Sequence, residues 1–298
     1  MKVLIADDEL VSRRLLQSKL VGLGYEVVVA SNGIEAQAIL LSDDGPRLAI
    51  LDWMMPGADG LAVCRAIREQ APAYVYVIVL TSKDRKEDLV AAFDAQVDDF
   101  ITKPFELPEL RARLRSGERV LKLQATLLEA TSLLQHQATH DSLTGLWNRG
   151  MAYEHLSQEL KRAVRTGEPV SVLLADLDRF KHINDDHGHA GGDRVLQEAS
   201  ARMRSALRDH DGIGRYGGEE FVVILPQTTR DMARVIAERL RVSVQEHHVA
   251  FGSDSIAVTI SIGLSCSTDV AGSADALIAA ADAALYRAKD SGRNRVEG

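Results

Sequence analysis

Ile213-Gly214-Arg215-Tyr216-Gly217-Gly218-Glu219-Glu220-Phe221-Val222-Val223-Ile224-Leu225 sets a Gly-Gly pair between two apolar runs. This is the text of a β-hairpin, because glycine reaches the positive φ values of a tight turn without a Cβ clash. Glu219 then stands at the lip of the turn. Upstream, the apolar run 170–175 ends in Asp176-Leu177-Asp178. If the two runs are neighbouring strands, Asp176 and Glu219 meet. Such a pair of carboxylates can hold one or two Mg²⁺ ions that polarise a phosphate and activate a hydroxyl for in-line attack. No Gly-x-x-x-x-Gly-Lys-Ser/Thr occurs, so a P-loop is excluded and phosphates must be held by other means.

Around this core the text reads as an Asn/Gly-marked turn near 145–148 and a helix to about Thr166. Further helices start near Gly192, Thr229 and Ser273, and a strand spans 257–262. That order predicts an α+β fold with a mainly antiparallel sheet.

The first hundred or so residues are different. Short β-rich runs at 3–5, 27–30, 48–51, 75–80 and 99–102 alternate with helical patterns, giving five βα units. Strands with few polar interruptions suit a doubly wound parallel sheet covered on both faces, whose functional crevice lies at the carboxyl ends of the strands. Asp7 and Asp8 end the first run, Asp52 the third, Thr81 and Ser82 the fourth, and Lys103-Pro104 follows the fifth. Three carboxylates on one edge repel unless a cation joins them, and hard oxygen ligands suit Mg²⁺. Asp52 is then a nucleophile for a phosphoryl group, with Lys103 neutralising developing charge.

Between the two halves, a run without proline or strand pattern from about Pro108 to Ala138 predicts one long helix, interrupted only by Gly117. Val120, Leu123, Leu127, Ala130 and Leu134 follow the spacing of a two-stranded coiled-coil seam, and an earlier seam at Leu107, Leu110, Leu114 and Leu121 is displaced from it by one position. Two registers therefore compete, and a parallel homodimer is expected. A single amphipathic helix packed on its own domain is the alternative. His136 and His140 share the i, i+4 spacing of metal ligands, but no carboxylate or Cys completes a zinc set.

The chain has 298 residues, room for two ordinary domains, and 43 acidic against 35 basic residues give a net charge of -8. That balance argues against nucleic acid as a partner. Cys64 and Cys266 offer neither disulfide framework nor metal spacing. The early acidic residues and the absence of a long apolar run argue against a signal peptide or a membrane span, so a cytoplasmic protein is expected.

Two resemblances sharpen these readings. Residues 1–119 resemble the receiver domain of response regulators, on Ile5-Ala6-Asp7-Asp8-Glu9, Leu51-Asp52-Trp53-Met54-Met55-Pro56-Gly57, Leu80-Thr81-Ser82 and Lys103-Pro104-Phe105. The resemblance implies that Asp52 takes phosphate from a sensor histidine kinase, and that Asp7, Asp8, Asp52 and the Met54 carbonyl hold Mg²⁺. It further implies that Thr81, Lys103 and Phe100 switch in response. A helical linker at 120–138 leads to a domain at 139–298, which from about Thr139 to Arg295 resembles GGDEF diguanylate cyclases. The matching runs include Asp141-Ser142-Leu143-Thr144-Gly145-Leu146-Trp147-Asn148-Arg149, Asp176-Leu177-Asp178-Arg179-Phe180-Lys181, Arg215-Tyr216-Gly217-Gly218-Glu219-Glu220-Phe221 and Gly292-Arg293-Asn294.

This second resemblance implies a palm-like sheet and condensation of two GTP into cyclic di-GMP. Asp176, the Leu177 carbonyl and Glu219 look like ligands of Mg²⁺ (or Mn²⁺), with Glu219 also the base and Lys181 neutralising the transition state. Lys289 and Arg293 match triphosphate contacts, and Asn184 and Asp193 match guanine readers, a carboxylate suiting the donors of guanine N1 and its amino group. Phe180, Gly217 and Gly218 are expected to line the nucleotide. Asp178 either faces the metal or makes a structural hydrogen bond. Arg208 and Asp211, with Arg239, match a product-inhibition site.

Overall fold

In the N-terminal unit the strands fall where the apolar runs predict: β1 (Lys2–Ala6), β2 (Glu26–Ala30), β3 (Leu48–Asp52), β4 (Tyr76–Thr81) and β5 (Asp99–Thr102). They form one parallel sheet in the order β2-β1-β3-β4-β5. The structure, a computed structural model, describes every residue except 83–89, 91, 93, 253, 271 and 272. The helix expected between β4 and β5 falls largely on residues outside that description.

Alternate side chains along each strand serve opposite faces. Leu4, Ala49, Leu51, Val77 and Val79 pack with Ala36 and Leu40 of α2 (Gly33–Leu40) and with Leu61, Cys64 and Ile67 of α3 (Gly60–Gln70). Val3, Ile5, Leu48, Ile50, Ile78 and Leu80 pack with Leu16 and Leu20 of α1 (Leu10–Gly22) and with Leu110 and Leu114 of α4 (Leu107–Thr139). Burial on both faces is why these strands read as unbroken apolar text. Asn32 and Asp59 cap α2 and α3 by accepting from Glu35 N–H at 2.9 Å and Ala62 N–H at 2.6 Å.

The helix α4 corrects one expectation. Leu110 and Leu114 of the earlier seam are fully buried in the core of the N-terminal unit, so the two registers do not compete for one partner. The later seam is open, with Leu123, Leu127 and Leu134 exposed by 64, 66 and 65%. Gly117 lies between the two stretches. A Cβ there would come within 2.7 Å of Cδ1 of Tyr76 and 2.9 Å of Cδ1 of Leu48, so glycine is what lets the helix approach the sheet.

In the C-terminal unit β6 (Val170–Leu177), β7 (Gly212–Arg215), β8 (Glu220–Pro226), β11 (Ile260–Cys266) and β12 (Val296–Glu297) form a sheet in the order β12-β11-β6-β8-β7. All pairings are antiparallel except β11 with β12. On one face Leu173, Ala175, Phe221 and Val223 pack with α6 (Phe180–Ser205) and α7 (Arg230–Gln245). On the other, Val172, Leu174, Val222 and Ile224 pack with α5 (Arg149–Thr166) and α8 (Ala274–Asp290). Asn148, Thr229 and Ser273 cap α5, α7 and α8.

Two boundaries and one element differ from the sequence reading. The strand expected at 257–262 begins at Ile260, although the Thr259 carbonyl still accepts from Asp178 N–H at 2.9 Å. The helix expected from Gly192 begins at Phe180 and breaks at Gly188, where φ is 69° and ψ 174°. Gly191 and Gly192 are helical and buried. A small hairpin, β9 (Val249–Phe251) with β10 (Asp254–Ile256), was not anticipated. Trp147 bridges to both His140 and Gly214, so the turn after α4 covers the free edge of β7.

Candidate functional site

The parallel sheet carries Asp7, Asp8 and Asp52 to one edge, where a carboxylate oxygen from each lies within 4.8 Å of the others. At that distance two full charges repel by on the order of 3 kcal/mol at an effective dielectric constant of ~20. Among the described residues Lys103 offsets part of this, its Nζ lying 2.9 Å from Asp52 and 3.4 Å from Asp7. Burial raises the Asp52 carboxyl above its usual value against the pull of Lys103, with Asp7 adding to the rise. Burial acts to lower Lys103, but Asp52 and Asp7 outweigh it and raise the ammonium. Asp7 is buried and held by Glu9 N–H at 2.8 Å and Ser12 Oγ at 2.7 Å. Three clustered hard oxygens, one on the half-buried Asp52, fit a small divalent cation. Thr81 is buried at this edge and Phe100 is 37% exposed. The Met54 side chain is exposed while its N–H donates to Asp52, and the Lys103–Pro104 peptide is cis.

In the antiparallel sheet Asp176 stands directly opposite Glu220, and Leu177 N–H donates to the Glu219 carbonyl at 3.2 Å, so Glu219 sits beside the end of β6. Asp176 is buried, and that burial pushes its carboxyl up to about 6; Lys289 of α8, with Nζ 2.8 Å away, works against the rise, and Glu219 and Glu220 add to it. Two carboxylates near the end of β6 are hard oxygen donors of the kind a divalent cation suits. Lys289, expected at the triphosphate, is thus already in contact with a candidate metal ligand.

The Gly217-Gly218 turn does not rest on glycine alone. Arg215 donates from Nε and Nη2 to the Gly218 carbonyl at 3.0 and 2.7 Å, and from Nη1 to both Asp141 oxygens at 3.1 and 3.2 Å. Asp141 also accepts from Thr144 N–H and Oγ1 at 2.9 and 2.7 Å. Arg215 therefore ties the tip of the hairpin to the turn that follows α4. Nothing in the spacing of the two residues, 74 positions apart, reveals this brace in the sequence.

Lys181 and Asp193 are exposed, on the two sides of the Gly188 break, with Asn184 half-buried between them. A Cβ on Gly192 would sit 2.0 Å from Asn184 Oδ1 and 3.1 Å from the Phe180 ring, so its absence gives both side chains their places. Arg293 is exposed in the loop after α8. Asp178 resolves to a structural role. Buried, it accepts from Ser261 Oγ at 2.6 Å, Thr259 Oγ1 at 2.6 Å and Asn294 N–H at 3.0 Å, a set of neutral donors.

Arg208 and Asp211 close a turn on each other: Asp211 N–H donates to the Arg208 carbonyl at 3.1 Å and Asp211 Oδ2 accepts from Arg208 N–H at 3.0 Å. Asp211 is buried and its Oδ1 has no hydrogen-bond partner among the described residues, while Arg208 and Arg239 are exposed. The rings of His136 and His140 stack with centroids 4.1 Å apart. The one group of three clustered metal-ligating side chains among the described residues is Asp7, Asp8 and Asp52. No helix among them is long and apolar enough to cross a membrane.

One unit is a parallel sheet with an acidic edge, and the other a mainly antiparallel sheet with a Gly-Gly-Glu-Glu-Phe hairpin. The family model for the diguanylate cyclase GGDEF domain matches residues 138–295, and that for the response regulator receiver domain matches residues 3–115. The chain belongs to the GGDEF diguanylate cyclase family and carries a receiver domain ahead of it. It is 37% identical to the response regulator PleD of Caulobacter vibrioides over 301 residues, covering 100% of this chain and 65% of PleD's length. Among solved structures it resembles the coiled coil and GGDEF domain of DgcB from Caulobacter crescentus in complex with c-di-GMP. That match has a TM-score of 0.57 at 30% identity over 63% of this chain and 98% of that one. It also resembles the diguanylate cyclase SiaD, in complex with its activator SiaC, from Pseudomonas aeruginosa. There the TM-score is 0.53 at 34% identity over 71% of this chain and 77% of that one.

Proposed function

We propose that the chain is a phosphorylation-regulated diguanylate cyclase that condenses two GTP into cyclic di-GMP and two pyrophosphates. Its domains in this reading are a receiver at 1–119, a linker at 120–138 and a cyclase at 139–298. The observation that carries the reading is the meeting of Asp176, Glu219 and Lys289 at one end of the antiparallel sheet. Asn184 and Asp193 read the guanine edge, Phe180, Gly217 and Gly218 line the nucleotide, and Lys289 and Arg293 hold the triphosphate. Glu219 takes the proton of the 3'-hydroxyl as its oxygen attacks the α-phosphorus of the facing GTP. Lys181 neutralises charge as the bond to pyrophosphate breaks. Mg²⁺ (or Mn²⁺), held by Asp176, the Leu177 carbonyl and Glu219 here and by Asp7, Asp8, Asp52 and the Met54 carbonyl in the receiver, supplies Lewis-acid polarisation of phosphoryl oxygens when bound.

Each cyclase domain holds one GTP and the product needs two, so two copies face each other across a twofold axis. The open seam Val120, Leu123, Leu127, Ala130 and Leu134 is the surface by which they pair. A sensor histidine kinase donates phosphate to Asp52, and Lys103, Thr81 and Phe100 convert the new charge into a changed surface that resets the helix pair. Arg208, Asp211 and Arg239 then form a feedback site for the product.

Incubating the full chain with GTP and Mg²⁺, with and without beryllium fluoride as phosphoryl mimic, tests this. Cyclic di-GMP and pyrophosphate should form faster with the mimic, Asp52→Asn should remove that response, and Glu219→Ala should lower turnover at least about a hundredfold. A Glu219→Ala chain that turns over at the unaltered rate would overturn the reading.

A further inference from the structure

The loop that presents Arg293 has three consecutive residues at positive φ: Gly292 at 110°, Arg293 at 65° and Asn294 at 45°. Two of them are not glycine, and such a backbone persists only where its surroundings over-determine it. Three sets of contacts do so. Arg293 N–H donates to the Ala288 carbonyl at 3.0 Å at the end of α8. Asn294 N–H donates to Asp178 Oδ2 at 3.0 Å. The Asn294 side chain is gripped from α7, with Oδ1 accepting from Arg241 Nη1 at 2.9 Å and Nδ2 donating to Gln245 Oε1 at 3.2 Å. Arg241 is itself fixed by Glu238 at 2.7 Å and Gln245 at 2.7 Å.

Asp178 is the hub of this arrangement. It follows β6 directly after Asp176 and Leu177, and its other oxygen accepts from Ser261, the cross-strand partner of Asp176. The same carboxylate thus holds the β6–β11 pair at the candidate metal ligands and the loop bearing Arg293. A buried carboxylate with three neutral donors and no cation among the described residues is set up for holding backbone in place. Three of its roughly four acceptor positions are taken by these donors.

We propose that Asp178 and Asn294 are positioning residues that fix the Arg293 guanidinium relative to the Asp176-Leu177 edge, and so set the affinity for the triphosphate of the nucleotide. The proposal rests on the cyclase reading given above, in which Arg293 contacts that triphosphate. It assigns Arg241 and Gln245, remote from the nucleotide, a part in the same function.

The test uses the full chain with Mg²⁺ and beryllium fluoride. Asn294→Gly keeps the left-handed backbone and its N–H but removes the side-chain grip, and it should raise KM for GTP about tenfold with little change in kcat. Affinity for 3'-deoxy-GTP, which lacks the attacking hydroxyl, should fall in parallel while affinity for GMP stays constant, a pattern that general loss of structure does not give. Arg293→Ala should behave likewise, and Asn294→Gly/Arg293→Ala should be no worse than Arg293→Ala alone, because one residue acts through the other. Additive losses in the double variant, or equal losses for GMP and 3'-deoxy-GTP, would overturn the proposal. Asp178→Leu, close in shape but without any acceptor for Asn294 N–H, provides the second arm, and an unchanged KM in a chain of unaltered melting temperature would also overturn it. If the unaltered chain makes no cyclic di-GMP but binds 3'-deoxy-GTP in this pattern, the cyclase reading fails and the positioning stands.

Discussion

Arg215 reaches two acceptor groups, the Gly218 carbonyl and the Asp141 carboxylate, and through them the hairpin tip and the turn after α4 share one side chain. Burial acts to raise Asp141, but Thr144 and Arg215 outweigh it and hold its carboxyl below the ordinary value. The folded chain therefore keeps Asp141 ionised at pH values where the unfolded chain has bound a proton. The resulting stabilisation is complete above the usual carboxylate value of about 4 and is lost as acid drives the folded group through its lower value. Melting curves between about pH 5 and 3 should fall less steeply for Asp141→Asn than for the unaltered chain. Equal slopes would remove Asp141 as the linked group. At this scale the acids Asp7, Asp8, Asp52, Asp176 and Glu219 were legible, because each ends an apolar run or sits on a turn that text alone identifies. The contacts of Asp178, Arg215 and Asn294 were not, since their partners lie far away in sequence and no periodicity links them.

Two glycines show how closely elements approach. A Cβ on Gly263 in β11 would lie 2.1 Å from the Ala281 carbonyl oxygen and 2.2 Å from Leu285 N, both backbone atoms of α8. Backbone cannot step aside as a side chain can. Gly263→Ala should thus cost about 3 kcal/mol or more in the C-terminal unit. Gly117→Ala, whose Cβ would meet the Tyr76 and Leu48 side chains, should cost about 1–3 kcal/mol in the N-terminal unit. Denaturant unfolding of the two variants checks both, and a neutral Gly263→Ala would mean that α8 is not fixed by this contact. The strands were readable because alternation and apolar runs follow directly from burial on one or two faces. The part of α6 before Gly192 was not, because Gly188 and Gly191 weaken the helical pattern there.

For the whole molecule the decisive element is α4, which belongs to a core at one end and has an exposed leucine row at the other. Leu127→Glu sets a charge on that row. Sedimentation should then report monomers, and turnover at fixed protein concentration should fall at least about tenfold, with 3'-deoxy-GTP binding retained. A dimeric Leu127→Glu chain would place the contact elsewhere. That the chain holds a doubly wound sheet, a long helix and a mainly antiparallel sheet was plain from text, because each has its own period. Which leucines of α4 are already covered was not, since both seams obey the same spacing. Split ownership of one helix has a consequence for amide exchange. Hydrogens around Leu110 and Leu114 should be shielded from deuterium at any dilution, whereas those from Val120 to Leu134 should slow only as the solution is concentrated, so a single rod would report two different protection laws along its length.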